Sequence, residues 1–200
     1  MVTFSNQSAT DERPASNVID FGRSVPPLVP EIGAALAATL REIAAEHACG
    51  ALLHRARPAA ARDRAAAASW LAPRLDAAPD RIVIGNGTQA LLRLLFEQIA
   101  MPPVVLTEAL SYGVIKEIAR LAHVELAAVD IDSEGLIPEA LDALAARTGA
   151  RILYCNPTAH NPTTAIMPAP RRRVIGDIAR RRGLTIIEDD VLGPLALETA

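Results

Sequence analysis

Ile152-Leu153-Tyr154-Cys155, followed by Asn156-Pro157-Thr158-Ala159-His160-Asn161-Pro162-Thr163-Thr164, is a short apolar run that breaks into a polar loop with two Asn-Pro-Thr units. The run has the length and composition of a buried strand. Proline fixes the turns of the loop, and asparagine side chains offer both donors and acceptors to a ligand. A plain turn-rich loop is the competing reading. So long a polar, proline-pinned loop directly after a buried strand favours a binding site. Neither asparagine opens a glycosylation acceptor, because proline follows each.

Outward from this stretch the chain alternates short apolar strands with amphipathic helices. Downstream, Arg171–Arg182 reads as helix and Leu184–Glu188 as strand. Upstream, strands are expected at Arg81–Ile84, Val104–Thr107 and Val124–Val129. Helices are expected at Thr88–Ile99, Tyr112–Ala122 and Pro138–Arg147, the last with proline at its start. The alternation predicts an α/β fold, a mainly parallel sheet with helices on both faces. Ahead of it a helical N-terminal segment is expected. Glu31–His47 carries Ile32, Leu36, Leu40 and Ile43 on one face, and a second helix, Asp63–Leu75, should turn Trp70 and Leu71 inward. Residues 48–63 read as irregular. The organisation expected is a flexible arm (1–17), an N-terminal segment (18–78) and the first part of a larger domain (79–200).

In a parallel sheet ligands gather at the carboxyl ends of the strands, and the remaining motifs fall there. Gly85-Asn86-Gly87-Thr88-Gln89-Ala90 lies between a strand and a helix. Its glycines allow close backbone approach, and the helix start offers free N–H groups to a phosphate. A glycine turn with Thr88 as an ordinary helix cap explains it equally well. The stretch also fits the dinucleotide pattern G-x-G-x-x-A, with Glu108 near the place of a ribose-binding acid, so an NAD-binding Rossmann domain stays open. Tyr112, in Ser111-Tyr112-Gly113, could stack on a flat aromatic ligand; a tyrosine at a helix start needs no such role. Glu188-Asp189-Asp190 puts three carboxylates at a strand end, where they repel one another and call for a metal, an arginine or a protonated ring nitrogen nearby. A solvated acidic corner is the plainer reading of that triplet taken alone.

The totals narrow the function classes. The chain has 200 residues, half of them hydrophobic, and a net charge of −3, which gives no support to a nucleic-acid surface. Of 20 basic residues 19 are arginine, and Lys116 is the single lysine, read as a surface residue. Cys49 and Cys155 lie far apart without metal-ligand spacing, consistent with reduced thiols and a cytoplasmic location. The N-terminus has no apolar signal core, and no apolar run is long enough to span a membrane.

Together these motifs resemble the fold-type-I pyridoxal-phosphate enzymes of the class I/II aminotransferase superfamily, most of all the aminotransferase-like domain of MocR-type regulators, from about Ile19 onward. The resemblance implies that Gly87, Thr88 and Gln89 cradle the phosphate of pyridoxal 5′-phosphate. It further implies that Tyr112 stacks on its ring, Asn161 hydrogen-bonds the ring hydroxyl oxygen and Asp189 pairs with the pyridinium nitrogen. It implies amino-group transfer between an amino acid and a 2-oxo acid, in a homodimer when full length. Three departures stand out. The family's Schiff-base lysine lies beyond the aspartate and is absent from these 200 residues, so by themselves they are expected to be inactive. Leu192 stands where a tyrosine is usual. The segment from Leu52 to Arg62 lacks the tyrosine and glycine of relatives. A MocR-like, non-catalytic effector-binding domain is the alternative, although residues 1–17 are too short and too acidic for the DNA-binding winged helix that precedes it in regulators. Under the Rossmann reading the Asn-Pro-Thr loop and the acidic triplet go unexplained.

Overall fold

The computed structural model describes residues 29–45, 61–99 and 102–193. The chain divides into two compact units, Met1–Arg57 and Pro58–Ala200. The arm expected at 1–17, and Cys49, lie outside the described residues, as do positions 52–60 of the segment lacking tyrosine and glycine.

In the first unit a helix, α1, runs Pro30–Ala45. Pro30 suits the first helical turn, and Glu31 faces the positive end of the helix dipole. Ile32, Leu36, Leu40 and Ile43 share one face as the spacing predicts, and all four are exposed.

The second unit opens with helix α2, Ala61–Leu71. Here the expectation for Trp70 fails: it is 70% exposed. The helix is alanine-rich and carries no apolar stripe that would place a tryptophan. The strand expected at Arg81–Ile84 is also absent. Pro79–Arg81 forms a 3-10 turn, after which Ile82 is extended (φ −97°, ψ 129°) without joining a ladder. Val83 and Ile84 remain exposed. β-branched composition favours extended backbone, but only a neighbouring strand makes it a strand.

From there the alternation holds. Helix α3 (Thr88–Ile99), strand β1 (Val104–Glu108), helix α4 (Ile115–Leu121) and strand β2 (Glu125–Val129) follow in order. After an unforeseen antiparallel pair, β3 (Ile131–Asp132) and β4 (Gly135–Leu136), come α5 (Pro138–Thr148), β5 (Ile152–Cys155), α6 (Ala169–Arg182) and β6 (Thr185–Glu188). Four strands make one parallel sheet in the order β2-β1-β5-β6. Successive side chains on a strand point to opposite faces, and two cores result. Val105, Ile152 and Tyr154 meet Leu92 and Phe96 of α3 and Ile115 and Ile118 of α4. Leu106, Leu153 and Cys155 meet Leu141 and Leu144 of α5 and Ile175 and Ile178 of α6. The central strands β1 and β5 are buried almost throughout, as continuous apolar strands covered on both sides must be. Cys155 is a free, buried thiol at the end of β5. Desolvation holds its pKa well above the ordinary value.

Candidate functional site

Because the sheet is parallel, β1, β5 and β6 release their chains on the same side, at Glu108, Cys155 and Glu188. Asn156, the first residue past β5, joins all three. Its backbone N–H donates to both carboxylate oxygens of Glu108, at 3.0 and 3.2 Å. Its side-chain amide donates to the backbone oxygen of Asp189, and its Oδ1 accepts the N–H of Asn161 at 2.7 Å. One buried side chain therefore fixes the start of the Asn-Pro-Thr loop against the residue just past β6.

Asp189 is held from three directions. Besides the Asn156 amide on its carbonyl, its N–H donates to Cys155 O at 2.9 Å. The Tyr154 hydroxyl donates to Asp189 Oδ2 at 2.8 Å. The loop itself is tied to α6 by Arg172, whose Nε donates to Met167 O (2.9 Å) and whose Nη2 donates to Pro157 O (3.1 Å) and Thr158 Oγ1 (2.7 Å). The Asn161–Pro162 peptide is cis, and Thr164 carries a positive φ of 62°.

Beneath the loop lies a buried acid–base pair. Glu108 is 2% exposed and His160 3%. His160 Nε2 sits 3.5 Å from Glu108 Oε2, while Nδ1 contacts Thr163 Oγ1 at 2.7 Å. Burial pushes the Glu108 carboxyl up to about 7, against the lowering effect of the Asn156 N–H and with a further push from Asp189. Burial lowers the His160 pKa. Glu108 thus spends its carboxylate on Asn156 inside the protein, which removes it from the ribose-binding role that a dinucleotide site would require.

On the other side of the opening stands the start of α3. Gly87 has φ +90°, a conformation L side chains avoid, and a Cβ there would point into open space. Thr88 and Gln89 follow, exposed, in the first turn. Gln89 Nε2 donates to the Tyr112 hydroxyl at 2.9 Å. Thr88, Leu91, Leu92, Ile187, Asp189 and Asp190 all line one cavity of about 260 Å³.

Each residue singled out in the sequence can now be placed. Gln89 and Tyr112 touch, Asn161 and Asp189 are joined through Asn156, and Thr88 and Asp189 share a cavity. The acidic triplet does have a positive neighbour: Arg74 forms an ion pair with Asp190, its guanidinium lying where a Cβ on Gly193 would be. Lys116 is exposed on α4, and Leu192 is half-buried. Sequence reasoning did not assign Tyr154, Glu108, His160 or Arg74 to this arrangement. Tyr154 alone left a signal, a hydroxyl on a strand too apolar to leave it unpartnered. Among the described residues no cluster of three or more His, Cys, Asp or Glu is suited to a metal, and no helix is long and apolar enough to cross a membrane.

Comparison with known proteins places the chain. The family profile "Aminotransferase class I and II" matches residues 16–199. A 2-aminoadipate transaminase of Thermus thermophilus is 33% identical over 130 residues, 64% of this chain and 31% of that protein. The HTH-type transcriptional regulator YisV of Bacillus subtilis is 30% identical over 126 residues, 62% of this chain and 26% of the regulator. The crystal structure of LysN, an α-aminoadipate aminotransferase of Thermus thermophilus complexed with N-(5′-phosphopyridoxyl)-L-leucine, superposes with a TM-score of 0.69 at 30% identity, covering 83% of this chain and 41% of that one. The chain thus spans between a quarter and a half of the length of these relatives.

Proposed function

Since this chain belongs to the aminotransferase class I and II family, we propose that it provides the pyridoxal 5′-phosphate platform of an enzyme that transfers an amino group between an amino acid and a 2-oxo acid. The observation that carries this reading is Asp189. It is pinned at backbone N, backbone O and Oδ2, and it lines the same cavity as Thr88 at the open start of α3. An anion-binding helix start on one side and a fixed carboxylate on the other match a ligand that is phosphate at one end and cationic ring at the other. The donor set fits the cofactor.

In this reading Gly87, Thr88 and Gln89 hold the phosphate through N–H groups and side-chain donors. Tyr112, steadied by Gln89, lies along the ring. Asn161 donates to the ring hydroxyl oxygen, and Asp189 accepts from the ring nitrogen and keeps it protonated. The cofactor, when bound, supplies an electron sink for the substrate carbon that loses a proton. The protein's part is to orient the ring and to fix the proton on its nitrogen. Lys116, the single lysine of the 200 residues, is exposed on α4. The substrate pair, a homodimeric assembly and a cytoplasmic location belong to this proposal as well. Likeness to the YisV regulator favours a second reading, an effector-binding module that holds the same cofactor without turnover.

Titration with pyridoxal 5′-phosphate, followed by the cofactor's absorbance, tests the site. Saturable binding is expected, with Thr88→Ala and Asp189→Asn each weakening it about tenfold. Wild-type affinity retained in both variants, or tighter binding of NAD than of the pyridoxal compound, would overturn the reading.

A further inference from the structure

Among the described residues the Tyr154 hydroxyl is the one side-chain group bonded to the Asp189 carboxylate, and its place follows from strand register. Tyr154 lies opposite Ile187 in the β5–β6 ladder. Asp189 is two residues further on, so its side chain leaves the backbone on the same face. A tyrosine is long enough to reach that carboxylate past the strand end. The ring is fully buried and meets Phe96 edge-on, with centroids 6.4 Å apart. The ring would keep that packing without a hydroxyl, which separates the oxygen's role from the ring's.

Resting on the cofactor reading above, we propose that Tyr154 is a positioning residue: its hydroxyl occupies Asp189 Oδ2 and leaves Oδ1 aimed at the ring nitrogen of the bound cofactor. The backbone of Asp189 is already fixed at both N and O by Cys155 and Asn156, so the side-chain torsions are its remaining freedom. The phenol removes that freedom at a distance of 2.8 Å. Burial and the neighbouring carboxylates push the Tyr154 pKa far up, which keeps the group a donor at every working pH. Glu188, and Glu108 once it ionises above about 7, add negative charge near the same strand ends. A donor on one Asp189 oxygen spreads its charge and keeps the carboxylate in the single orientation that serves a cation.

The test uses the full chain and pyridoxine 5′-phosphate, which has no aldehyde and so needs no lysine. Its absorbance reports whether the ring nitrogen is protonated. Bound to the wild-type chain, the ring is expected to keep its proton to higher pH than free in solution. Asp189→Asn abolishes that difference. Tyr154→Phe returns the ring's titration toward the solution value, with proton affinity falling about tenfold. In the Asp189→Asn background Tyr154→Phe adds nothing, because the hydroxyl acts only through that carboxylate. Two results overturn the assignment. One is a Tyr154→Phe titration identical to wild type. The other is an equal loss of affinity in both backgrounds, the mark of a merely structural defect. A wild-type chain whose bound ring titrates as it does in free solution instead overturns the cofactor reading itself, and the role of Tyr154 with it.

Discussion

The two ends of the cavity are built in opposite ways. At the β5–β6 end the N–H and side-chain amide of Asn156 and the backbone of Asp189 are tied within the protein, and Glu108 and His160 lie buried beneath. At the α3 end Gly87, Thr88 and Gln89 are exposed, and their geometry rests on one positive-φ glycine and a helix start. The difference matches what each end would hold. A carboxylate must be aimed at one atom, so its surroundings are spent on orientation. A helix start offers several equivalent N–H groups to a phosphate and needs little beyond access.

If that contrast is right, substitutions at the first end should cost stability, while those at the second should change binding more than folding. The largest effect is expected from Asn156→Ala, which leaves the Asn161 N–H and the Asp189 carbonyl without their partner. A loss of about 3–4 kcal/mol in urea unfolding is expected, and a variant as stable as wild type would break the comparison.

Next comes the pH dependence of Glu108. Its carboxyl titrates at about 7 in the folded chain against an ordinary 4.5. The folded state therefore binds this proton more tightly than the unfolded one. The stability so gained is complete below about 4.5 and drains away as the pH rises through about 7. Glu108→Gln keeps an acceptor for the Asn156 N–H and cannot ionise. Compared by urea unfolding at pH 4 and at pH 8, it should gain on wild type by about 2–3 kcal/mol over that interval; a constant difference would refute the buried titration.

At the open end, Gly87→Ala should cost about 1–2 kcal/mol in thermal unfolding, from backbone strain alone. Phosphate-ester affinity should fall by more than this strain explains. The smallest effect is a gain. Thr164 is β-branched at φ 62°, and Thr164→Gly should stabilise the chain by about 0.5–1 kcal/mol. A loss on that substitution would show that the threonine side chain holds the loop.

The sheet was legible because parallel strands covered on both faces are written as unbroken apolar runs, and β1, β5 and β6 fall within a residue or so of their expected bounds. The positions of the motifs after β1, β5 and β6 were legible for the same reason, since parallel strands all deliver their loops to one side, whereas the glycine turn before α3 follows no strand. Their mutual contacts were not. Tyr154 reaches Asp189, and Glu108 reaches Asn156, only because β1 lies beside β5 and β5 beside β6. That order skips along the chain, and no local pattern encodes it. Arg74 was hidden likewise, approaching Asp190 from a turn far upstream. Arg81–Ile84 misled in the other direction, since extended backbone was readable there and the lack of a ladder partner was not.

Cys155 carries one more consequence. Its sulfur sits at the end of the central strand, buried and kept as the unreactive thiol. A thiol-directed reagent can therefore label it only when β5 parts from its covering helices. The rate of that labelling, assigned to this cysteine by peptide mass, becomes a clock for the opening of the sheet, and a ligand that clasps the strand ends should slow it.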